Sequence, residues 1–282
     1  MFKEDTLQGK TILITGGGSG LGLSMAKMFA SLGANIAICG RTEEKLKSAA
    51  EEIGRMGDGG VYYDVTDVRC YDAVESMIGS IVEEFGAMDG LVNNAAGNFL
   101  AASEDLTPGG FKVVVDIVLH GSFNCTHSFG NYLIENNRKG NILSIVTTYA
   151  EYTGSAFVLP SACGKAGVLA MTRSLAYEWA RYGIRLNAIA PGPFPTEGAW
   201  SRLVPDKNFE EKFLSKIPMG RYGEKVELAN LAAFLMSDMA EYITGESITI
   251  DGGEKLGAGQ FNFIDELMPR EELKKMLKKM KR

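Results

Sequence analysis

Long apolar runs are missing from this sequence of 282 residues. No stretch approaches the roughly 20 consecutive apolar residues that a helix needs to cross a bilayer. The opening segment MFKEDTLQGK has no apolar run after its charges, so it does not resemble a secretory leader. We therefore expect a soluble protein without a membrane span, located in the cytoplasm.

Paired cysteines and an excess of basic residues are lacking as well. The chain has four cysteines, and none has a partner at the spacing of a zinc site or a disulfide framework, which favours a reducing compartment. The formal net charge is -6, with 29 basic against 35 acidic residues, so we expect no nucleic-acid partner. Nothing spaced like a metal ligand accompanies His127, so we predict no metal site.

Short β-branched runs that alternate with longer helical patterns dominate what is present. Hydrophobic residues make up 45% and charged residues 23%, which suits one large globular domain. The predicted strands are KTILIT, NIAIC, VYY, DGLVNN, NILSIV, GIRLNAIA and SITI. Their near-continuous apolar character predicts an α/β fold, a single doubly wound domain with a seven-stranded parallel sheet. We place this domain at residues 1–256 and a C-terminal extension with a charged helix at 257–282.

A glycine cluster, TGGGSGLG at residues 15–22, follows the first predicted strand and opens a helix. Glycines let the backbone turn tightly and approach a pyrophosphate, which the free N–H groups of the helix N-terminus stabilise. The pattern therefore predicts a Rossmann-type dinucleotide site, although a simple glycine-rich turn is the alternative. The predicted contacts in this turn are Gly16, Gly18, Ser19, Gly20, Leu21 and Gly22.

The residues after the second predicted strand indicate which dinucleotide binds. An acidic residue there would bind the ribose hydroxyl of NAD, but Cys39 and Gly40 stand at this place. Arg41 follows and can form charge-assisted hydrogen bonds to a 2′-phosphate. We therefore predict NADP(H), the alternative being that Arg41 pairs with Glu43 or Glu44.

Further polar and glycine-containing segments follow later strands, at the edge where doubly wound sheets bind ligands. YYDVTD supplies Asp64 and Val65, and LVNNAAGN supplies Asn94, Ala95 and Gly97. With TGGGSGLG, PGP at 191–193, Thr196 and DGG at 251–253, these segments resemble the short-chain dehydrogenase/reductase family over nearly the whole chain.

The resemblance implies a homotetrameric enzyme and a set of cofactor contacts. Asp64 and Val65 would hold the adenine, and Lys165 the nicotinamide ribose. The segment implied to contact the nicotinamide is Pro191, Gly192, Pro193 and Phe194.

The segment PSACGKAG, residues 160–167, lacks a tyrosine that many members of this family have. The position four residues before Lys165 is Ser161. One branch, the 2,4-dienoyl-CoA reductases, places its tyrosine just after the fifth strand. The chain is similar to that branch in NNAAGNF, DIVL, TTYAE, TGSAFVLPSA and PGPFPTEGAWSRL. The resemblance implies that Tyr149 and Asn98 bind the thioester oxygen, with Lys165 on the cofactor.

The same resemblance implies contacts along an acyl-CoA substrate for Phe99, Thr107 and Arg202. Tyr149 matches the tyrosine of the branch if one extra residue separates it from Lys165, and Tyr152 in the same loop is the alternative.

Two polar residues near the predicted site remain to be placed. His120, in DIVLHG, stands where the family commonly has an asparagine that interrupts the long helix and binds a water, a role that imidazole could take over. Ser161 lies one helical turn before Lys165, so we expect it to face the pocket without the reach to act there.

We therefore expect an NADPH-dependent reductase of unsaturated acyl-CoA thioesters, most similar to a 2,4-dienoyl-CoA reductase. One alternative is a 2-enoyl-CoA reductase or a carbonyl reductase that uses Tyr152. Another is a non-catalytic dinucleotide-binding protein. Retention of Lys165 and Asn98 argues against the latter, because a binding module needs neither a lysine nor an oxyanion donor at the nicotinamide.

Overall fold

The computed structural model describes residues 2–151, 153–196 and 206–280. The strands are β1 Thr11–Thr15, β2 Asn35–Gly40, β3 Val61–Val65, β4 Gly90–Asn93, β5 Gly140–Ile145, β6 Ile184–Pro191 and β7 Ser247–Ile250. The helices are α1 Gly20–Ser31, α2 Glu43–Ile53, α3 Tyr71–Phe85, α4 Pro108–Val115, α5 Gly121–Glu135, α6 Leu159–Trp179, α7 Lys207–Leu214, α8 Lys225–Met236 and α9 Arg270–Met280.

The strands form one sheet of seven in the order β3-β2-β1-β4-β5-β6-β7, and every neighbouring pair is parallel. Each of the seven predicted apolar runs is a strand of this sheet, so the predicted fold class is confirmed. The order reverses between β1 and β4. In doubly wound sheets the crevice at the carboxyl ends of these two strands is where ligands bind.

Burial explains why the apolar runs form strands. All residues of β1 and β4 are buried, as expected for central strands with helices on both faces. On one face α1 and α8 cover the sheet, with Phe29 and Leu228 in the shared core. On the other face α3, α5 and α6 contribute Met77, Phe129 and Trp179. This two-sided core fixes the edge from which the loops after the strands emerge.

A π-helical turn interrupts the long helix that follows β4. The helix α4 begins at Pro108, with the hydroxyl of Thr107 accepting a hydrogen bond from the N–H of Gly110 at 3.1 Å. The turn spans Asp116–His120, and α5 continues from Gly121. Single π turns of this kind change the direction of the side chains on either side of them.

Two 3₁₀ turns, Glu254–Ala258 and Asn262–Glu266, precede α9, and the first of them crosses the predicted start of the C-terminal extension. In α9 only Leu273 is buried, and the lysines are exposed. The boundary at residue 257 stays a prediction. In the described part of the chain, no helix combines the length and the apolar character that crossing a membrane requires.

Candidate functional site

The turn between β1 and α1 has the backbone geometry that its glycines predict. Gly16 and Gly20 have φ angles of +66° and +58°, in the left-handed region that side chains disfavour. A Cβ at Gly22 would lie 2.5 Å from the carbonyl oxygen of Gly16 and 2.6 Å from Asn94 Nδ2. The turn is therefore closed tightly against the loop after β4.

The first turn of α1 is open to an anion. Its N-cap residue, Ser19, makes no side-chain capping bond, and no acidic residue lies in the first turn. The N–H groups of that turn have no intrahelical partners, and the helix dipole favours negative charge there. Leu21 belongs to the same turn, and Gly18 lies just before the N-cap residue. The residues present therefore fit the pyrophosphate of a dinucleotide.

The end of β2 carries a buried thiol and an exposed guanidinium. Cys39 is fully buried, and burial raises the pKa of its thiol to about 12, so it brings no negative charge. Arg41 is exposed, and among the described residues it pairs with neither Glu43 nor Glu44. The Asp67 carboxylate interacts electrostatically with Arg41 but is hydrogen-bonded to Arg69. A guanidinium at this place fits a 2′-phosphate, and the preference for NADP(H) stays a prediction.

The end of β3 lies next to that of β2, since Cys39 pairs with Asp64 and Gly40 with Val65. The Asp64 carboxylate accepts hydrogen bonds from Tyr62, at 3.3 Å, and from the Thr66 hydroxyl. Val65 is 52% exposed. A fixed acceptor beside an exposed apolar side chain fits the adenine, although the contact itself stays a prediction.

A residue that the sequence did not single out, Thr15, holds the loop after β4. Its hydroxyl accepts hydrogen bonds from the N–H groups of Asn94 and Ala95, at 3.0 and 2.9 Å. The Asn94 side chain donates to the Thr15 carbonyl at 2.9 Å, and Gly97 packs against Ile117. The only sequence signal for this role is the position of Thr15 at the start of TGGGSGLG.

The hydroxyl of Tyr149 lies 3.2 Å from that of Ser161. Tyr149 is part of a 3₁₀ turn, Thr148–Ala150, just after β5, and Ser161 is buried in the first turn of α6. Because the tyrosine ring spans most of the distance, this contact does not require Ser161 to reach into the pocket, and the expectation that Ser161 lacks the reach to act there stays a prediction. Tyr152, the alternative, lies outside the described residues.

Lys165 follows Ser161 by one turn of α6 and is 7% exposed. Its ammonium donates a hydrogen bond to the carbonyl of Ile145, the last residue of β5. Burial lowers the pKa of Lys165 from 10.5 to about 8, and no described carboxylate pairs with it. The site therefore contains a buried cation near the tyrosine–serine pair.

Asn98 lies on the loop after β4, at the same edge of the sheet as the loop of Tyr149. Its side-chain Oδ1 accepts a hydrogen bond from the N–H of Phe99 at 2.9 Å. The bond is local, joining the side chain to the backbone of the next residue. The bond uses the side-chain oxygen and leaves the NH₂ group of Asn98 out of it, so the amide can serve as a donor.

The predicted acyl-CoA contacts differ in their surroundings. Phe99 packs against the apolar cluster that contains Val118, Val146 and Leu169. The Thr107 hydroxyl is engaged in capping α4. Arg202 lies outside the described residues.

His120 does not face the site. Its imidazole is 61% exposed and lies 3.0 Å from the carboxylate of Asp116, one turn earlier. Val118 occupies the inward position, fully buried against Gly164 of α6. The π turn leaves residue 120 on an exposed face of the helix, which argues against a water-binding role for the imidazole in the site.

The segment from Pro191 to Phe194 is fixed against the turn after β7. The N–H of Gly192 donates to Ile250 at 3.0 Å, and a Cβ at Gly192 would lie 2.6 Å from that of Asp251. The carbonyl of Pro193 accepts a bond from Gly223, and Phe194 is buried. These contacts hold the backbone of the segment in place, and its contact with the nicotinamide stays a prediction.

An ion pair that the sequence did not indicate anchors the loop of Tyr149. The Glu151 side chain is 8% exposed and pairs with Arg173 of α6. The two residues are 22 positions apart, so no local pattern could have related them.

Comparisons with known proteins are consistent with this geometry. Residues 16–255 match the family model described as enoyl-(acyl carrier protein) reductase. A probable 2,4-dienoyl-CoA reductase of Bacillus subtilis, named as producing (2E)-enoyl-CoA, is 44% identical over 256 residues, covering 90% of this chain and 100% of the relative. A probable (3E)-enoyl-CoA-producing 2,4-dienoyl-CoA reductase of Caenorhabditis elegans is 42% identical, covering 90% of this chain and 83% of the relative.

Two solved structures show the same fold. A short chain dehydrogenase from Bacillus anthracis superposes with a TM-score of 0.80 at 46% identity, covering 88% of this chain and 97% of that protein. A gluconate 5-dehydrogenase from Burkholderia cenocepacia, in complex with NADP and tartrate, superposes with a TM-score of 0.83 at 32% identity, covering 89% and 98%.

Proposed function

The chain belongs to the short-chain dehydrogenase/reductase family and is an oxidoreductase, and we propose that it reduces 2,4-dienoyl-CoA thioesters with NADPH. The observation that carries the proposal is the Tyr149 hydroxyl beside Ser161, one turn before Lys165. The site thus has a phenol although position 161 of α6 is a serine. Relatives named 2,4-dienoyl-CoA reductase, at 44% and 42% identity, support the substrate class.

The residues of this chain fit NADPH along the edge from β3 to β6. The glycine turn and the open N-terminus of α1 would hold the pyrophosphate, and Arg41 would bind the 2′-phosphate. Lys165 would bind the nicotinamide ribose. When bound, NADPH supplies a hydride to the remote end of the diene. The other proposed contacts are Asp64, Val65, Asn94, Ala95, Gly97, Pro191, Gly192, Pro193 and Phe194.

Reduction of a conjugated thioester places negative charge on the thioester oxygen, as a dienolate. Stabilising that oxygen requires hydrogen-bond donors positioned before the charge develops. Tyr149 donates through its hydroxyl, and Asn98 through its side-chain amide, whose oxygen is already held by Phe99. Water or another acid then protonates carbon, so the site has no need of a tyrosine at position 161.

Lys165 and Ser161 prepare the tyrosine for this role. The hydrogen bond with Ser161 orients the phenol of Tyr149. The buried ammonium of Lys165 favours negative charge close to it. In this arrangement Tyr149 stabilises an oxyanion, whereas in a ketone reductase the tyrosine delivers a proton to the carbonyl oxygen.

Binding of the CoA portion involves the loop after β4 and a residue beyond the described part of the chain. Phe99 and Thr107 line the path of the acyl-CoA, and Arg202 binds its phosphate-bearing end by charge-assisted hydrogen bonds. Removal of Arg202 should therefore raise KM for dienoyl-CoA. We also propose a cytoplasmic location and a homotetrameric assembly. The exposed side chains of Phe123 on α5 and Tyr177 on α6 support the assembly, since they offer apolar surface to a second copy. Light scattering of the purified protein tests the assembly.

A turnover assay tests the proposed function. The purified enzyme is supplied with NADPH and, separately, with 2,4-hexadienoyl-CoA, a 2-enoyl-CoA and a simple ketone, and the products are identified by mass spectrometry. We expect reduction of the dienoyl thioester in preference to the other two. Turnover of ketones but not thioesters would overturn the proposal, and binding of NADPH without turnover of any substrate would indicate a non-catalytic protein.

A further inference from the structure

One residue in the loop after β5 has a backbone conformation that its side chain disfavours. Phe157 has a φ angle of +65°, in the left-handed region that bulky residues rarely adopt. Gly154, in the same loop, has the same angle at no steric cost. Strain of this kind persists only where the surroundings hold it, and it is concentrated at functional sites.

A hydrogen bond to a second loop holds the strained residue in place. The carbonyl of Phe157 accepts the N–H of Ala101 at 2.9 Å. This bond joins the loop that follows β5 to the loop that follows β4. The Phe157 side chain is 59% exposed, so the strain does not serve to bury an aromatic ring in the core.

Two further exposed apolar side chains lie close to Phe157. Leu100 precedes Ala101, the partner of the Phe157 carbonyl, and Leu159 follows Phe157 by two residues. Each is 42% exposed. We call Leu100, Phe157 and Leu159 the apolar rim.

The apolar rim is continuous with the residues that we place around the thioester. Leu100 follows Asn98 by two residues, and Leu159 precedes Ser161 by two. Ser161 in turn contacts Tyr149. The rim therefore lies just outside the point at which the thioester oxygen would be held.

We infer that the apolar rim binds the distal methylenes of the fatty acyl chain, with Phe157 determining the preference for chain length. The inference rests on the proposed function, which places the thioester oxygen at Tyr149 and Asn98. In a 2,4-dienoyl chain the carbons beyond the diene must leave this position along the surrounding surface. Exposed aromatic and aliphatic side chains are what those carbons bind, because each methylene removed from water favours binding by about fourfold.

Chain-length dependence of kcat/KM tests the inference. The wild type and Phe157→Asn are compared on 2,4-hexadienoyl-CoA and on 2,4-decadienoyl-CoA. Asparagine tolerates the left-handed conformation, so the variant removes the ring without disturbing the loop. We expect a loss of about tenfold on the ten-carbon substrate, mainly through KM, and less than about twofold on the six-carbon substrate.

Two further variants sharpen the comparison. Phe157→Leu keeps an apolar side chain and should restore much of the lost selectivity. Met56→Ala removes an exposed apolar side chain from the α2–β3 connection, at the opposite edge of the sheet. This variant should leave kcat/KM unchanged for both substrates. Thermal melting of each variant confirms that the fold is retained.

The inference is wrong if Phe157→Asn changes kcat/KM for both substrates by the same factor, or changes it for neither. Those results leave the proposed function intact, because the six-carbon substrate is still reduced. If the wild type reduces neither dienoyl-CoA, the proposed function fails, and the inference fails with it.

Discussion

The hydroxyl of Tyr149 and the hydroxyl of Ser161 lie 3.2 Å apart, which joins the loop after β5 to the first turn of α6. Ser161 occupies the position at which many members of the family have their tyrosine, so the chain retains a phenol at this place by supplying it from another loop. Since Ser161 precedes Lys165 by one turn of α6, the hydrogen bond brings the phenol to the same end of that helix as the lysine.

Replacing Tyr149 with phenylalanine removes one hydroxyl with little change in shape. If this hydroxyl stabilises the thioester oxygen, kcat for dienoyl-CoA should fall by about 10² to 10³-fold, as for the loss of one oxyanion donor elsewhere. NADPH affinity, measured by fluorescence titration, should persist. Tyr152→Phe is the matched control and should reduce kcat far less. A reversed order of the two variants would assign the donor to Tyr152.

Ser161→Ala removes the partner that orients the phenol. A neutral hydrogen bond contributes about 0.5–1.5 kcal/mol, so we expect kcat to fall by about two- to tenfold, with KM for NADPH unchanged. Ser155→Ala, at an exposed position in the neighbouring loop, is the control and should leave the kinetics unaltered. Full activity of Ser161→Ala would show that the contact does not position Tyr149.

Arg41→Ala tests the preference for the 2′-phosphate. The wild type should prefer NADPH to NADH by at least about tenfold, or about 1.4 kcal/mol of differential binding. The substitution should weaken the binding of NADPH much more than that of NADH, since only NADPH carries the phosphate that the guanidinium binds. Arg55→Ala, just beyond the far end of α2, is the control. Equal use of both cofactors by the wild type would contradict the prediction.

Lys165 gives NADPH binding a dependence on pH. Burial lowers its pKa to about 8, so the free enzyme loses this cation as the pH rises through that value. The dissociation constant for NADPH should therefore increase above about pH 8. Lys165→Met should bind more weakly and lose this dependence, whereas Cys163→Ser, which removes an exposed thiol from the same helix, should retain it. If the dissociation constant of Lys165→Met for NADPH still increases with pH, another group is responsible for the pH dependence.

The lowered pKa of Lys165 also affects the free energy of unfolding. Rising pH weakens NADPH binding through this residue but stabilises the fold. The unfolded chain keeps the lysine proton up to about its ordinary pKa of 10.5, and the folded chain loses it near 8. Because the unfolded state binds more protons between these values, rising pH stabilises the fold through Lys165. We expect Lys165→Met to have a larger free energy of unfolding than the wild type near pH 8. Denaturant titrations should show this difference becoming smaller as the pH rises towards 10.5.

His120→Ala tests whether the exposed face of the helix contributes to catalysis. Its imidazole is exposed and contacts Asp116, away from α6, so kcat and KM should stay within about twofold of the wild type. The adjacent inward change, Val118→Asn, alters a fully buried position and should affect both folding and activity. A large loss of kcat in His120→Ala with the fold retained would restore a role for the imidazole.

Short-range pattern in the sequence determined the strands and the glycine turn. The seven apolar runs are all strands, because the burial that selects Val, Ile and Leu acts on consecutive residues. Gly16, Gly20 and Gly22 were identifiable for a similar reason, since a tight turn and a close backbone approach require glycine at those positions. The identification of Lys165 rested on spacing within one helix.

Contacts between distant segments were decided by the tertiary structure alone. The meeting of Tyr149 with Ser161 depends on how the loop after β5 runs back to α6, and the pairing of Glu151 with Arg173 depends on the same path. The outward orientation of His120 follows from a π turn, whose extra residue rotates the helix face by an amount that periodicity does not reveal. Sequence patterns record which residues an element buries, whereas the direction of a side chain relative to another element is fixed only when the elements pack.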